Sequence, residues 1–425
     1  MPSSASTTSR SENLISRLSS AVDDSDSKLK ALRDLKNQII GNRTKKLTYI
    51  KLGAVPSVVS ILSQADADCS SSSSSSSSSC SSSLLVQSAA VLGSFACGVD
   101  AGVTAILDAG AFSHLLRLLS NSDDKVVDAG ARALRMIFQS KLAPKYDFLQ
   151  EENVKFLLKL LNSENENVAE LGASIITHSC VTRLEQKVLC DAGVLKKLIS
   201  LLEGSLSLRD ASLESLATIF KDNSEVVSQF VGADGGKALN GLIKLMKDRY
   251  PRTRLLSCIC LTVIRNGSPC YVKDLQIKRD LVLVLLELLD DPGQVGDEAP
   301  FALASLTSEM EDMQKLAFEA DAIDKLSIHL QNGPVQSKRL QGILLALADL
   351  CSKLESCRSR FLSLQVLNWV TSMLTNDSAD VRVAACICIK CVSRSLKSLS
   401  AGLFMNEMIV IPLIELLHDS CISVQ

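Results

Sequence analysis

Aromatic residues are scarce in this 425-residue chain, where Phe, Tyr and Trp together make up 4% of the sequence and apolar residues make up 46%. A core with so few aromatic side chains has to be filled mainly by leucine and alanine, which are strong helix formers. The composition therefore predicts a helical core and argues against a strand-rich one.

Histidine is rarer still, and its four copies, His114, His178, His329 and His418, lie in widely separated segments. A catalytic triad or a metal cluster would need side chains from several distant places. The HExxH, GxSxG, GxGxxG and paired CxxC motifs are also missing. We therefore predict no enzymatic activity, no cofactor, and no catalytic, metal-binding or cofactor-binding residues.

Long hydrophobic runs are missing as well. Runs such as residues 281–286 are far shorter than the ~20 residues needed to span a bilayer, and no signal peptide is visible at the N-terminus. The net charge of −2 gives no reason to expect nucleic-acid binding. We expect a soluble intracellular protein with no membrane, nucleic-acid or small-molecule partner.

The 14 cysteines lie mostly within helical patterns. Without a secretory route they should be reduced thiols that pack as small apolar side chains. Cys388 and Cys391 share a helix face, as metal ligands do, but neither a second cysteine pair nor a histidine cluster accompanies them. We predict that they do not bind zinc.

What the chain does contain is a repeated pattern, and residues 106–140 hold one complete copy of it. A short helix ends at Gly110, because glycine accepts the left-handed conformation that ends helices. A second helix carries leucines up to Leu119, and a polar break then starts a third helix with Ser122 or Asp123 as its N-cap. None of these helices can bury its apolar face alone, so the pattern requires neighbouring copies.

The copies recur at a nearly constant interval, measured from the last apolar residue of each second helix. These residues are Leu62, Leu119, Leu161, Leu202, Met246, Leu289, Leu330, Leu374 and Leu417. After a first interval of 57 residues, the others are 41 to 44 residues long, within the ~40–47 typical of armadillo and HEAT repeats. We predict an all-α, armadillo-type, right-handed superhelical solenoid of about nine repeats over residues 27–425.

Two segments depart from this pattern. Residues 1–26 are rich in serine and threonine and have little apolar surface to bury, so we expect a disordered N-terminal tail. Residues 65–83 include ten consecutive serines, Ser70–Ser79, and account for the long first interval. We expect them to form a loop inserted between two helices.

The last repeat is incomplete, because its second helix reaches Leu417 and its third helix has only just begun at Gln425. A solenoid needs a polar cap on its terminal repeat. Three interpretations stay open: the chain is a fragment, it is a short isoform, or a partner covers this end.

Basic residues supply the candidate binding surface. Eight Lys and Arg residues lie from Lys28 to Lys51 beside one acid, Asp34. This stretch is either the solvated outer face of an end repeat or a docking patch for an acidic partner. Further exposed cations are expected on third helices, which line the concave surface of such folds. The candidate protein-binding residues are Lys36, Arg43, Lys45, Lys46, Arg132, Arg135, Arg382, Lys390 and Arg394.

Several stretches resemble one family in particular. They are residues 36–42 (KNQIIGN), 52–56 (LGAVP), 91–94 (VLGS) and 382–395 (RVAACICIKCVSRS). From about residue 29 to 417 the chain resembles the armadillo repeat-containing protein 8 family, with a shorter C-terminus and a polyserine stretch that departs from the family pattern.

The resemblance implies a non-catalytic scaffold or adaptor subunit of a GID/CTLH-type E3 ubiquitin ligase. It implies LisH/CTLH and RING subunits as partners. It also implies a substrate receptor held chiefly by the concave groove of C-terminal repeats, part of which is missing here. The alternative is an armadillo adaptor that binds trafficking or cell-adhesion proteins outside the ubiquitin system.

Overall fold

The computed structural model describes residues 4–20, 25–71, 75–332, 336–395 and 407–425. Every regular element within these ranges is a helix. The chain divides into two compact units, residues 1–218 and 219–425.

The first unit contains thirteen of the described helices, the last of which crosses the boundary between the units. They are α1 (Ser4–Ser19), α2 (Ser25–Ile39), α3 (Arg43–Lys51), α4 (Ala54–Ser71), α5 (Ser75–Ala96), α6 (Asp100–Asp108), α7 (Ala111–Leu118), α8 (Asp124–Phe138), α9 (Glu151–Leu161), α10 (Glu166–Ser179), α11 (Arg183–Asp191), α12 (Val194–Leu201) and α13 (Leu206–Phe220).

The second unit contains twelve more in the part that the structure describes. They are α14 (Ser224–Gly232), α15 (Lys237–Leu245), α16 (Pro251–Gly267), α17 (Leu275–Leu288), α18 (Gln294–Thr307), α19 (Glu311–Glu319), α20 (Ala322–Gln331), α21 (Ser337–Lys353), α22 (Glu355–Ser363), α23 (Leu367–Ser372), α24 (Ala379–Val392) and α25 (Glu407–Glu415).

Helices α6, α7 and α8 show how one repeat is built. Gly110 lies between the first two with φ +71°, and Gly193 occupies the same place between α11 and α12 with φ +88°. A side chain at either position would be strained. Asp123 caps α8 by accepting a hydrogen bond from the amide of Lys125 at 2.9 Å. The succession of such triplets confirms the predicted all-α armadillo solenoid.

The third helices of successive repeats pack side by side and carry most of the core. In the first unit these are α2, α5, α8 and α10, and in the second they are α16, α18, α21 and α24. On α8, Leu134 and Ile137 are completely buried. Burying a side chain of this size contributes about 1.5–3 kcal/mol, which explains why each repeat depends on its neighbours.

Residues 139–150 take the place of a first helix in one repeat. Their backbone is held by side chains, since the amide of Tyr146 donates to Ser179 Oγ at 3.0 Å and Asn153 Nδ2 donates to the carbonyl of Asp147 at 2.9 Å. His178 lies 3.0 Å from the carbonyl of Ala143. The segment is therefore ordered without being helical.

The prediction of a disordered tail over residues 1–26 is wrong for Ser4–Ser19, which form α1. Leu14 and Leu18 are buried, and α1 packs against α2 and α4. The two leucines lie one helical turn apart, so a single apolar stripe suffices to anchor a segment that is otherwise polar. Residues 1–3 and 21–24 lie outside the described residues.

The predicted polyserine loop also differs from the structure. Helix α4 continues to Ser71 and α5 begins at Ser75, so most of residues 65–83 lengthen two neighbouring helices, and residues 72–74 lie outside the described residues. Ala65 and Leu84 are buried at the two ends of the insertion. Serine is a tolerable helix former, and these anchored ends allow the helices to propagate into it.

Candidate protein-binding grooves

A groove runs between α5 and α8 in the first unit, with one residue of α2 at its side. We call it the basic groove. It has a volume of about 710 Å³ and is lined by Lys36, Val86, Gln87, Ala89, Ala90, Gly93, Ser94, Cys97, Asp124, Lys125, Asp128, Ala129, Arg132, Ala133, Arg135 and Met136. Its floor is made of small residues because the two helices approach closely. A Cβ atom added to Gly93 would lie 3.0 Å from Ala133 Cα.

Cations on both sides of the basic groove outnumber its carboxylates. Lys36 Nζ donates to the neutral Gln87 Oε1 at 3.3 Å. Arg132, whose side chain is 63% exposed, pairs with Asp128 over 3.0 Å, and Asp128 also accepts a hydrogen bond from Asn167 Nδ2. Such an exposed pair within one helix is worth only about 0.3–0.5 kcal/mol, so Arg132 remains available to a ligand.

The prediction that Arg135 is an exposed binding residue is wrong. Its guanidinium pairs with Glu170 of α10, a carboxylate that is almost completely buried. Burial, and then the charge of Arg132, lower the pKa of Arg135. Arg135 therefore joins α8 to α10 at the lining of the groove, since removing it would leave the buried carboxylate of Glu170 uncompensated.

The basic residues of α3 do not join Lys36 in the groove. Lys46 is buried, and its Nζ donates to the carbonyl of Cys97 at 2.6 Å, which satisfies a backbone acceptor left free at the end of α5. The prediction of Lys46 as a binding residue is therefore wrong. Arg43 and Lys45 are exposed outside the groove, and their role stays a prediction.

The predicted cations of α24 in the second unit have different environments. Arg382 is only 13% exposed and forms a two-point ion pair with Asp419, in which both N–O distances are 2.7 Å. The prediction of Arg382 as a free binding residue is therefore wrong, because its charge is already used within the fold. Lys390 and Arg394 are exposed, and their binding role stays a prediction.

A second groove, which the sequence analysis missed, lies between α16 and α18 in the second unit. We call it the apolar groove. It has a volume of about 370 Å³ and is lined by Ile259, Thr262, Val263, Glu298, Phe301, Ala302, Ser305 and Lys338. A third helix that carries more apolar residues than the stripe facing the core requires has some of them left over for its surface. Such an excess could have indicated the apolar groove.

One carboxylate organises the rim of the apolar groove. Glu298 pairs with Arg252, accepts a hydrogen bond from Gln294 Nε2 at 3.1 Å, and pairs with Lys338 at 3.0 Å. Burial alone would raise the pKa of Glu298, but these partners together hold it below its usual value. The rim is therefore charged and fixed, whereas the floor is apolar.

A partly buried acid on α21 makes the second unit sensitive to pH. Burial raises the pKa of Asp349 to about 6, a hydrogen bond from Ser308 opposes the rise, and the charge of Glu309 adds to it. An unfolded Asp has a pKa of about 3.9, so the folded state binds more protons between these two values. This group therefore contributes stability below about pH 4 and loses that contribution as the pH rises through about 6.

We expect Asp349→Asn to stabilise the protein at pH 7.5 and to change little at pH 4. The gain should be about 1 kcal/mol, which allows for partial solvent screening of the carboxylate. Urea unfolding at both pH values measures it, with Glu319→Gln, an exposed acid at the end of α19, as the matched control. An equal gain at both pH values would show that the charge of Asp349 is not the cause.

Within the described ranges, no group of three or more His, Cys, Asp or Glu side chains is placed to hold a metal ion. Burial raises the pKa of Cys388, so its thiol stays protonated. Among the helices that the structure describes, none is both long and apolar enough to cross a membrane.

Comparison of the sequence with known proteins finds relatives of this chain, whereas no family model matches it. Armadillo repeat-containing protein 8 from Danio rerio is 25% identical over 416 residues, which cover 92% of this chain and 60% of that protein. GID complex subunit 5 from Schizosaccharomyces pombe is 29% identical over 249 residues, which cover 51% of this chain and 31% of that protein.

Comparison of the structures supports the fold. The crystal structure of an engineered protein matches with a TM-score of 0.52 and 24% identity, covering 98% of this chain and 96% of the other. At this identity the match concerns the fold alone. This chain spans about 60% of the length of the armadillo repeat-containing protein 8 relatives, and over 92% of its own length it is similar to them.

Proposed function

We propose that this chain is a non-catalytic scaffold subunit of a GID/CTLH-type ubiquitin ligase complex, located in the cytoplasm and nucleus. The observation that carries the proposal is its similarity to GID complex subunit 5 over 51% of its length, together with its similarity to armadillo repeat-containing protein 8 over 92%. The proposed partners are LisH/CTLH and RING subunits of the complex and a substrate receptor.

The two grooves support a scaffolding role because they differ in chemistry. The basic groove presents Lys36, Lys125 and Arg132, whereas the apolar groove presents Ile259 and Phe301. Two surfaces of different chemistry can hold two different partner segments on one chain. Tethering partners in this way raises their effective concentration to about the millimolar range without any chemistry by the scaffold.

Affinity purification of the tagged full chain from its own cells tests the proposal. We expect RING and LisH/CTLH proteins to be enriched over a purification of the tag alone. Mass spectrometry identifies and quantifies the bound proteins.

Two results would contradict the proposal. Enrichment of vesicle-sorting or cell-junction proteins without RING and LisH/CTLH subunits would favour an adaptor outside the ubiquitin system. Turnover of a substrate by the purified chain alone would contradict its non-catalytic role.

A further inference from the structure

The positive charge of the first unit is concentrated at its N-terminal helices and continues into the basic groove. Residues 25–51 contain eight Lys and Arg residues and two carboxylates, Asp26 and Asp34. Lys30 and Arg33 of α2 are exposed, and Lys36 of the same helix lines the groove. Helix α2 therefore carries exposed cations and also contributes one cation to the lining of the groove.

Within the groove the charges are arranged so that cations can accept a new partner. Lys125 is exposed, Arg132 pairs with the carboxylate of Asp128, which it shares with Asn167, and Lys36 contacts a neutral amide. The carboxylates in the lining are Asp124 and Asp128. Asp124 is favourably placed in the first turn of α8, where the helix dipole stabilises negative charge.

The floor of the groove suits an extended main chain. Ala90, Gly93 and Ala133 project little or no side chain there, so a bound backbone can come close to α5 and α8. Gln87 Nε2 is a hydrogen-bond donor at the side of the groove. The Ser94 hydroxyl donates its proton to the carbonyl of Ala90 at 2.7 Å and can still accept a hydrogen bond from a peptide N–H. The volume of about 710 Å³ lies within the range of sites that enclose a ligand.

The lining argues for a peptide and against nucleic acid. None of the residues that line the groove in the described structure is aromatic, whereas proteins that bind single strands stack bases on aromatic rings. The carboxylates of Asp124 and Asp128 would also repel a continuous row of phosphates. The carboxylates of a peptide, by contrast, are on separate side chains and can lie away from Asp124 and Asp128.

We infer that the basic groove, together with the exposed cations of α2, binds an extended acidic segment of a partner protein. Carboxylates of that segment pair with Lys36, Lys125 and Arg132, and its main chain lies over the small residues of α5 and α8. The inference deepens the proposed function, on which it rests for the partner being a protein subunit.

Fluorescence anisotropy with the purified full chain tests this binding without any ligase subunit. The probe is a fluorescein-labelled peptide of alternating Glu and Ala, compared with its Lys–Ala counterpart and with a single-stranded RNA. We expect the acidic peptide alone to bind, at least about tenfold more weakly at 300 mM than at 50 mM salt. Lys125→Glu combined with Arg132→Glu should weaken binding by at least about tenfold.

The matched control is Lys237→Glu combined with Lys244→Glu, which reverses two exposed cations of α15 in the second unit and should change affinity by less than about twofold. Thermal melting checks that each variant is folded. If the variant with Lys125→Glu and Arg132→Glu does not fold, Lys36→Glu combined with Lys125→Glu replaces it. The inference would be overturned if the two pairs of substitutions lowered the affinity for the acidic peptide equally. It would also be overturned if RNA bound more tightly through the same residues, or if the acidic peptide did not bind. Because no partner is present, this result is independent of the purification that tests the proposed function.

Discussion

Leu134→Asp is expected to unfold the first unit. Leu134 lies on α8 and is completely buried. The substitution removes a large apolar side chain and places a carboxylate in its place without a partner, so the loss should exceed about 4 kcal/mol. That is a large part of the 5–15 kcal/mol that stabilises a typical domain. Circular dichroism and limited proteolysis of the purified variant measure the change.

The control for this substitution is Lys125→Asp on the same helix. Lys125 is exposed in the first turn of α8, where an acid is favourable, so the free energy of unfolding should change by no more than about 0.5 kcal/mol. A wild-type melting temperature for Leu134→Asp would mean that the buried face of α8 has been assigned incorrectly.

Gly102→Ala is expected to destabilise the same unit although it adds only one methyl group. Gly102 is buried in α6, and a Cβ atom there would overlap the carbonyl oxygen of Phe95 and lie 2.7 Å from its carbonyl carbon. Both atoms belong to the backbone at the end of α5, so one helix has to shift. Overpacking of this kind costs about 1–3 kcal/mol, and denaturant unfolding measures it.

Gly241→Ala in α15 is the same chemical change, but it is expected to have the opposite effect on the free energy of unfolding. A Cβ atom added to Gly241 has no neighbour within 4 Å. Alanine should therefore stabilise the helix by about 0.5–1 kcal/mol. If both alanine variants shift stability in the same direction, close packing around Gly102 is not the deciding effect.

Repeat period and helix boundaries could be predicted because they depend on local chemistry. The left-handed backbone at Gly110 and the cap at Asp123 follow from residue types that few others can replace. The two errors in the fold came from composition. Serine-rich composition predicts a disordered tail over residues 1–26 and a loop over residues 65–83, but buried anchors such as Leu18 and Leu84 decide the structure of these segments.

The candidate site was only partly predictable, because sequence shows where a cation lies but not what it pairs with. Arg135 pairs with Glu170, and Arg382 pairs with Asp419. The acid lies 35 residues after the arginine in the first pair and 37 residues after it in the second, which is somewhat less than one repeat. This spacing alone does not distinguish the two structural arginines from Arg132, because Glu170 also lies 38 residues after Arg132.

The irregular segment at residues 139–150 shows that one of the three helices in a repeat is dispensable. Its polar backbone groups are satisfied by side chains such as Asn153 and Ser179, while α9 and α10 still pack on each other and α10 packs on α8. The segment in the place of the first helix is thus free to differ in length and sequence, while the second and third helices of the repeat keep their packing. An array of this kind can acquire new contacts at its periphery during evolution without rebuilding its interior.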